Sequence, residues 1–272
     1  LSAEGAAGSV IELGLKEFEL WSPGNPKLYD LEVELLSGGK TVDRVESYFG
    51  MRKIALGKDR NGIPRILLNG KPLFQFGPLD QGWWPDGLYT APSDEALRYD
   101  LEVTKKLGFN MVRKHVKVEP PRWYYHCDRM GLLVWQDMPN GGVNARWPLD
   151  GTELHRDEGE KAQFDRELDA LIDTHRNQVS IVAWVPFNEA WGQFDTARVT
   201  RRIEEKDPGR LVVSASGGND FGVGHIHDIH EYPGPRRPPA EAARAAVLLA
   251  ALQAAQARTL IVDRLRGHDA ND

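Results

Sequence analysis

The chain has 272 residues, of which 41% are hydrophobic and 27% charged, with a net charge of −6 and one cysteine. That length holds one large α/β barrel or two ordinary domains, and the acidic balance argues against nucleic acid or an anionic membrane as the main partner. The single Cys127 excludes an internal disulfide and leaves the compartment open. No stretch approaches 18 consecutive apolar residues, so no transmembrane helix is expected. The opening LSAEGAAGSV lacks the basic start and apolar core of a signal peptide, and there is no initiator methionine. The expectation is a trimmed chain or one that starts inside a larger protein. Eight tryptophans hint at sugar binding, although most tryptophans in any protein are core.

Residues 9–56 alternate apolar and polar residues as β-strands do. VIELGLKEFEL (10–20) and LYDLEVELLSGGKTVDRVESYFGMRKIAL (28–56) carry the alternation, with SPGNP and SGGK as turns. About four strands are expected, fewer than the roughly seven of a whole sandwich, so the segment reads as the C-terminal part of one.

From about residue 66 strands and helices alternate. LFQFGPL is strand-like. SDEALRYDLEVTKKLG reads as a helix capped by Ser93, with acids in its first turn and Gly108 at its end. FNMVRKHV follows as a strand, then EPPRWYYHCDRMG as a helix entered through proline and closed by glycine. LLVWQDMP is a strand. EKAQFDRELDALIDTHRNQ is a helix with Phe164, Leu168, Leu171, Ile172 and His175 on one stripe. SIVAWVPFNEA, the helix DTARVTRRIEEKDPG, and the strands RLVVSAS and HIHDIHEY complete the series. Six strands with four crossover helices predict parallel pairing, and apolar strands with polar C-terminal ends favour a (β/α)8 TIM-type barrel over an open sheet. The tail from residue 240 is alanine-rich and is expected as one long helix, where a complete barrel would need two more strands.

Reactive groups of a barrel gather at the C-terminal ends of its strands. Those ends carry Asp80 and Gln81, Arg113 and His115, Asp137, Asn188 and Glu189, Ser214 and Ser216, then Asp228, His230 and Tyr232. The set suits a polyhydroxylated ligand such as a sugar. No Gly-rich loop follows a strand in the P-loop or dinucleotide pattern, so no cofactor is expected, and there is no GxSxG elbow. His225, His227 and His230 have a spacing that a metal could use, but alternation puts the first two on one face and His230 on the other, with Asp228 and Tyr232. No metal is therefore assigned. Cys127, inside a helix, reads as packing.

WVPFNEAWGQ carries the chemistry. Glycoside cleavage needs one carboxyl to protonate the leaving oxygen and a second carboxylate to attack the anomeric carbon or activate water. The first must hold its proton near neutral pH, which apolar surroundings favour. Trp184, Val185, Pro186, Phe187, Ala190 and Trp191 are expected to provide them for Glu189, and Asn188 can hold a sugar hydroxyl. Substrate contacts are expected from Asn188, Arg113, His115, Asp80, Gln81, Asp137, Trp191, His230 and Tyr232.

With these pieces in order, the chain resembles glycoside hydrolase family 2, the group of β-galactosidases, β-glucuronidases and β-mannosidases. LWSPGNPKLYDLEVEL looks like its immunoglobulin-like sandwich, YFGMRKIAL with ILLNGKPLFQFG like the sandwich-to-barrel junction, and HRNQVSIVAWVPFNEAWG like its acid/base strand. The likeness covers about residues 18–248. It implies an α/β fold of an immunoglobulin-like part (1–57) and a barrel of about six strands (58–239), followed by the helical tail (240–272). It also implies a retaining mechanism through a covalent glycosyl-enzyme. Glu189 matches the acid/base, Asn188 the asparagine before it, Arg113 the second-strand arginine, and His230 and Tyr232 sixth-strand positions near the nucleophile.

The family's seventh-strand glutamate has no match. After HEYPGP no acid stands between Glu241 and Asp263; Glu231 points away by alternation, and Glu241 lies in a Pro/Ala-rich connection. FGPLDQGWW also departs from the family's histidine- and glutamate-containing first strand. A frameshift or truncated gene would explain the loss. The expectation is a β-glycosidase-like chain incomplete at both ends, weak or inactive alone; the alternative is a non-catalytic carbohydrate-binding or scaffold remnant. The oligomeric state is left open.

Overall fold

The structure is a computed structural model that describes residues 1–141, 151–189 and 192–230, and the backbone of 259–263. It begins with a hairpin of β1 (Tyr29–Ser37) and β2 (Lys40–Phe49), antiparallel from Tyr29↔Phe49 to Ser37↔Lys40. Gly38 and Gly39 both have positive φ (58° and 78°), which a two-residue turn matched to strand twist requires. The strand expected over 10–20 is not formed. Val10 is 90% exposed, and no described segment pairs with this stretch. Alternation makes a strand only when a neighbour completes the ladder and one face is covered.

β3 (Ile54–Lys58), β4 (Pro64–Leu68) and β5 (Lys71–Pro72) form a small antiparallel sheet. Its Gly57↔Arg65 pairing spans the boundary expected at residue 57. Ile54, Ile66 and Leu68 pack on Met111, Leu133, Trp135, Val182 and Val213, which closes the lower end of the barrel interior.

The barrel strands are β6 (Leu79–Asp80), β7 (Met111–Lys114), β8 (Leu133–Asp137), β9 (Ile181–Val185) and β10 (Leu211–Val212), parallel and adjacent in chain order. β11 (Ile226–His230) follows beside β10 through a parallel Val213↔Ile226 bridge. Between them run α1 (Asp94–Lys106), α2 (Pro121–Met130), α3 (Glu158–His175) and α4 (Thr196–Lys206). The six strands and four helices match the expectation. The first strand is shorter than LFQFGPL, but that segment still runs along β7: Phe76 O accepts from Asn110 N and Pro78 O from Arg113 N, both at 3.0 Å. Gly77 permits this approach, since a Cβ there would stand 1.7 Å from Met111 O.

The helix ends follow local chemistry. Ser93 accepts from Ala96 N at the start of α1, and Gly131 (φ 69°) closes α2 in the left-handed conformation. Asp157 and Glu160 form a reciprocal capping box on α3. Successive strand residues divide between two cores, as period 2 demands. Met111, Leu133 and Leu211 point inward, while Val112, Val134 and Val212 pack outward on Leu101, Tyr124, Leu168 and Ile203 of the helices. Asp165, Asp169 and Asp173 of α3 pair with Arg198, Arg202 and Lys206 of α4 at 2.7–2.8 Å, a ladder with one rung per helical turn.

The tail departs from its expected single helix. Thr259–Asp263 forms β12, parallel to β11. TLIV is rich in β-branched residues, which favour strand locally whatever the alanine content around them. The rest of 240–272 lies outside the described residues.

Asp128 on α2 ties the hairpin to the barrel floor. It is fully buried; Oδ1 accepts from Ser180 N (2.8 Å), Oδ2 from Tyr48 Oη (2.9 Å), and its carbonyl from Trp21 Nε1 (2.7 Å). Burial lifts its carboxyl from 3.8 to about 6, against the lowering donations of Ser180 and Tyr48. The folded chain then holds this proton more tightly than the unfolded chain does. The stability it contributes is full below about pH 4 and is lost as pH rises through about 6, a change of about 3 kcal/mol. Asp128→Asn keeps its partners: Oδ1 still accepts from Ser180, and Nδ2 donates to Tyr48, whose own hydrogen turns to Gln178 Oε1 at 2.9 Å. Urea unfolding at pH 4 and pH 7 should show the variant gaining about 3 kcal/mol on the wild type between the two. His175, lowered to about 4 by burial, has the opposite sign in this window and cancels in the difference. A difference independent of pH would refute the assignment.

Candidate active site

The C-terminal ends of β7, β8, β9 and β11 converge on Arg113. This guanidinium is 2% exposed and makes a bidentate pair with Asp137, Nε to Oδ1 at 3.0 Å and Nη2 to Oδ2 at 2.9 Å. Nη2 also donates to Asn188 Oδ1 (2.9 Å), and Nη1 approaches His230 Nε2 (3.3 Å). Asp137 Oδ2 further accepts from Val116 N at 3.1 Å. Because Asn188 turns its oxygen to Arg113, its amide nitrogen faces Glu189 Oε2 at 3.3 Å.

Glu189 is 5% exposed, and its Oε1 lies 2.7 Å from His230 Nδ1. Ser216 Oγ donates to Asp228 Oδ2 (2.5 Å) and also stands 3.0 Å from His230 Nε2. With the serine hydrogen directed to Asp228 and Arg113 donating to Nε2, the ring hydrogen of His230 is assigned to Nδ1, aimed at Glu189. Asp228 Oδ1 accepts from Gly217 N at 2.7 Å.

Backbone geometry places Glu189. After β9 the chain pairs once more in parallel, Asn188↔Ser216, with Glu189 N donating to Ser216 O at 2.8 Å. Glu189 itself has φ +47°, a left-handed conformation that a non-glycine residue adopts at a cost of about 1–3 kcal/mol. This twist brings its carboxylate to His230. Opposite, Gly217 (φ +60°) lies flat against the imidazole: a Cβ there would stand 2.3 Å from His230 Cγ.

The expected residues fall into three groups. Arg113, Asp137, Asn188, Glu189 and His230 form one connected cluster, and Asp228 shares the face of His230 as alternation requires. His115 and Gln81 sit beside it, joined at 3.2 Å. Asp80 turns elsewhere: it accepts from Lys114 Nζ at 2.7 Å and from Gly82 N at 2.8 Å, so it belongs to a second ion cluster and not to that of Arg113. Trp191 and Tyr232 lie outside the described residues, as do Glu231 and Glu241. Of the apolar neighbours expected around Glu189, Ala190 and Trp191 lie outside the described residues. The described contacts of Glu189 are the Asn188 amide and the His230 imidazole. Phe187 and Trp184 point into the outer core instead, Phe187 stacked on Phe164 and Trp184 donating from Nε1 to Asp207.

Sequence reasoning did not single out the second ion cluster. Lys114 Nζ is completely buried between Asp80 and Glu119 (2.7 and 2.8 Å) and lies 4.4 Å over the Trp123 ring; Lys117 Nζ pairs with Glu119 at 2.9 Å. The signal available was RKHVKVE, with adjacent cations that period 2 must send to opposite faces. The three histidines once weighed as metal ligands have separate partners: His225 accepts from Val212 N, His227 pairs with Asp220, and His230 meets Glu189. Among the described residues no group of three potential metal ligands is found.

Fold and cluster together define a parallel α/β barrel with a buried polar centre at the C-terminal ends of its strands. Residues 64–232 match the model "Glycosyl hydrolases family 2, TIM barrel domain", and residues 2–52 match "Glycosyl hydrolases family 2". The chain belongs to glycosyl hydrolases family 2. A putative beta-glucuronidase of Formosa agariphila is 29% identical over 214 residues, 78% of this chain and 19% of that protein. The beta-galactosidase large subunit of Latilactobacillus sakei is 31% identical over 228 residues, 78% of this chain and 34% of that protein. The chain thus spans well under half the length of these relatives. A crystal structure of the GH2 beta-galacturonidase from Eisenbergiella tayi bound to galacturonate has a TM-score of 0.75 at 23% identity, covering 93% of this chain and 45% of that one. This likeness supports the fold.

Gly217→Ala tests the packing of the cluster. Strain at positive φ and overlap with the ring of His230 should lower unfolding free energy by about 1–3 kcal/mol. Gly209→Ala, where the nearest atom to a Cβ is 3.6 Å away, should change it by less than about 0.5 kcal/mol. Equal stability of the two variants in urea would show that His230 does not rest on Gly217.

Proposed function

We propose that this chain carries the acid/base half of a retaining β-glycosidase centre, in which Glu189 gives a proton to the glycosidic oxygen of a β-linked O-glycoside. The observation that carries the reading is the 2.7 Å contact of Glu189 with His230 inside a buried polar cluster. The proton that Glu189 gives is carried on Oε2, while Oε1 accepts from His230 Nδ1. Asn188 and Arg113 supply donors for sugar hydroxyls, and His115 and Gln81 extend the polar wall. The family match and the beta-galactosidase and beta-glucuronidase names of the relatives support a sugar as ligand.

A retaining mechanism needs a second carboxylate about 5–5.5 Å from the first. Asp137 and Asp228 are poor candidates. Both oxygens of each accept hydrogen bonds from donors fixed by the fold, which lowers their nucleophilicity. We therefore propose that the nucleophile is missing and that the chain alone is weak or inactive. The same observation favours a second reading, a sugar-binding remnant without chemistry.

Azide separates the two. With a β-glycoside of a poor leaving group, azide should attack the anomeric carbon while Glu189 protonates the departing oxygen, giving an α-glycosyl azide. Glu189→Gln should slow that product by about 10²-fold or more. Turnover without azide that the variant loses would mean the chain contains its own nucleophile. Sugar binding without azide product would leave the remnant reading, and no binding would remove both.

A further inference from the structure

The loop between β6 and α1 presents aromatic surface at the rim of the cluster. Trp83 is 64% exposed, its ring 4.9 Å from that of Tyr89 at an interplanar angle of 57°. An exposed tryptophan on a mobile loop would be unremarkable, but this loop is held at several points. Trp84 and Leu88 exchange two backbone hydrogen bonds at 2.7 and 2.8 Å. Lys117 Nζ donates to Gly82 O at 2.7 Å and stands 4.4 Å over the Tyr89 ring, while Tyr89 Oη donates to Val116 O at 3.4 Å. Lys117 is itself buried against Glu119, which also pairs with Lys114. Gly82, at φ +66°, leaves no room for a side chain: a Cβ would stand 2.5 Å from Glu119 Oε1. The second ion cluster thus fixes a loop that presents Trp83 to solvent.

The position of the loop is set by the sheet. All barrel strands are parallel, so a loop leaving the C-terminal end of β6 lies at the same end as Glu189 and His230. Its root, Gln81, is bonded to His115, two residues beyond Arg113. The cluster around Arg113 and Glu189 is buried, whereas Trp83 is exposed. A ligand that reaches both would have one ring against the polar cluster and a further unit over the indole.

We propose that Trp83, braced by Tyr89, is a stacking platform for a second sugar ring of the substrate, the one on the far side of the bond presented to Glu189. The inference rests on the reading of the Glu189 cluster as a glycoside site. The chemistry that fits is the apolar C–H face of a pyranose, which covers an aromatic ring while its hydroxyls stay in water. A fixed platform loses little conformational freedom when it binds, so its contact area converts efficiently into affinity. The pyranose is favoured over a protein partner because the loop's root is bonded to His115 beside the polar cluster, and the cation over the Tyr89 ring, Lys117, is paired with Glu119.

Calorimetric titration of the full chain tests this. Methyl β-galactoside and methyl β-glucuronide probe the pocket; the same sugars β-linked to glucose probe pocket and platform together. The disaccharide should bind about tenfold tighter than its methyl glycoside. Trp83→Ala should reduce that advantage to less than twofold and leave the methyl glycosides unchanged, and Trp83→Phe should restore part of it. Asn188→Ala should weaken both ligands. A disaccharide advantage that survives in Trp83→Ala overturns the platform but not the pocket. A wild-type chain that binds disaccharide through Trp83 and no methyl glycoside overturns the pocket but not the platform. Binding of neither ligand overturns both.

Discussion

The C-terminal end of this barrel depends on one buried cation. Arg113 reaches Asp137 on β8, Asn188 after β9 and His230 on β11, so a single side chain from β7 links the ends of four of the six barrel strands. A buried guanidinium is tolerable only when its donors are met, and removing one partner of such a group typically costs about 3–5 kcal/mol. The planar fork explains the choice of residue. Two parallel bonds orient Asp137, and the remaining donors are directed sideways to Asn188 and His230, a geometry that lysine does not reproduce. Asn188 and His230 are in turn the two described contacts of the Glu189 carboxylate. The orientation of Glu189 is therefore inherited from Arg113.

The period of two in β7 gives the molecule its second cluster. Arg113 points to one side and Lys114 to the other, and each finds its own carboxylates: Asp137 for the arginine, Asp80 and Glu119 for the lysine. The first cluster keeps its polar groups facing the site. The second is consumed in holding the loop after β6 and the turn around Lys117. Neighbouring residues thus serve unlike ends, one orienting Asp137 and Asn188 and the other fixing the loop after β6. This division also explains why Asp80, at a strand end like the others, does not join the Arg113 cluster: its β7 neighbour in register is Lys114.

Much of the barrel was legible in the sequence because its signals are local. Ser93, Pro121 and Gly131 mark helix ends through their own backbone chemistry, and apolar strands with polar last residues mark the parallel sheet and its active end. Glu189 stood out for the same reason. Failures came where structure depends on distant partners. Residues 10–20 alternate as a strand should, yet no described neighbour completes their ladder. Ile54–Leu56 continues the sandwich-like alternation, yet it pairs with β4 under the barrel. The polar contacts of Glu189 were hidden too: Trp184 and Phe187 face the helices, and His230, 41 positions later, supplies its closest described contact.

Strain and buried charge sit at opposite ends of the same strands. At the upper end Glu189 is held at positive φ and Gly217 is pressed to an imidazole, conformations that a loose scaffold would relax. At the lower end Arg52 caps the carbonyls of Val179, Ile181 and Gly209, and Arg210 binds those of Arg176, Gln178 and Ile181. These arginines stitch together the entries to β9 and β10, the two strands whose exits carry Glu189 and Ser216. Their burial lowers both guanidinium pKa values, Arg52 to about 9, so the stitching itself carries a desolvation cost. The arginine-bound entries and the Asn188–Ser216 bridge thus hold the same two strands at both ends, and the bridge takes Glu189 N onto Ser216 O at 2.8 Å.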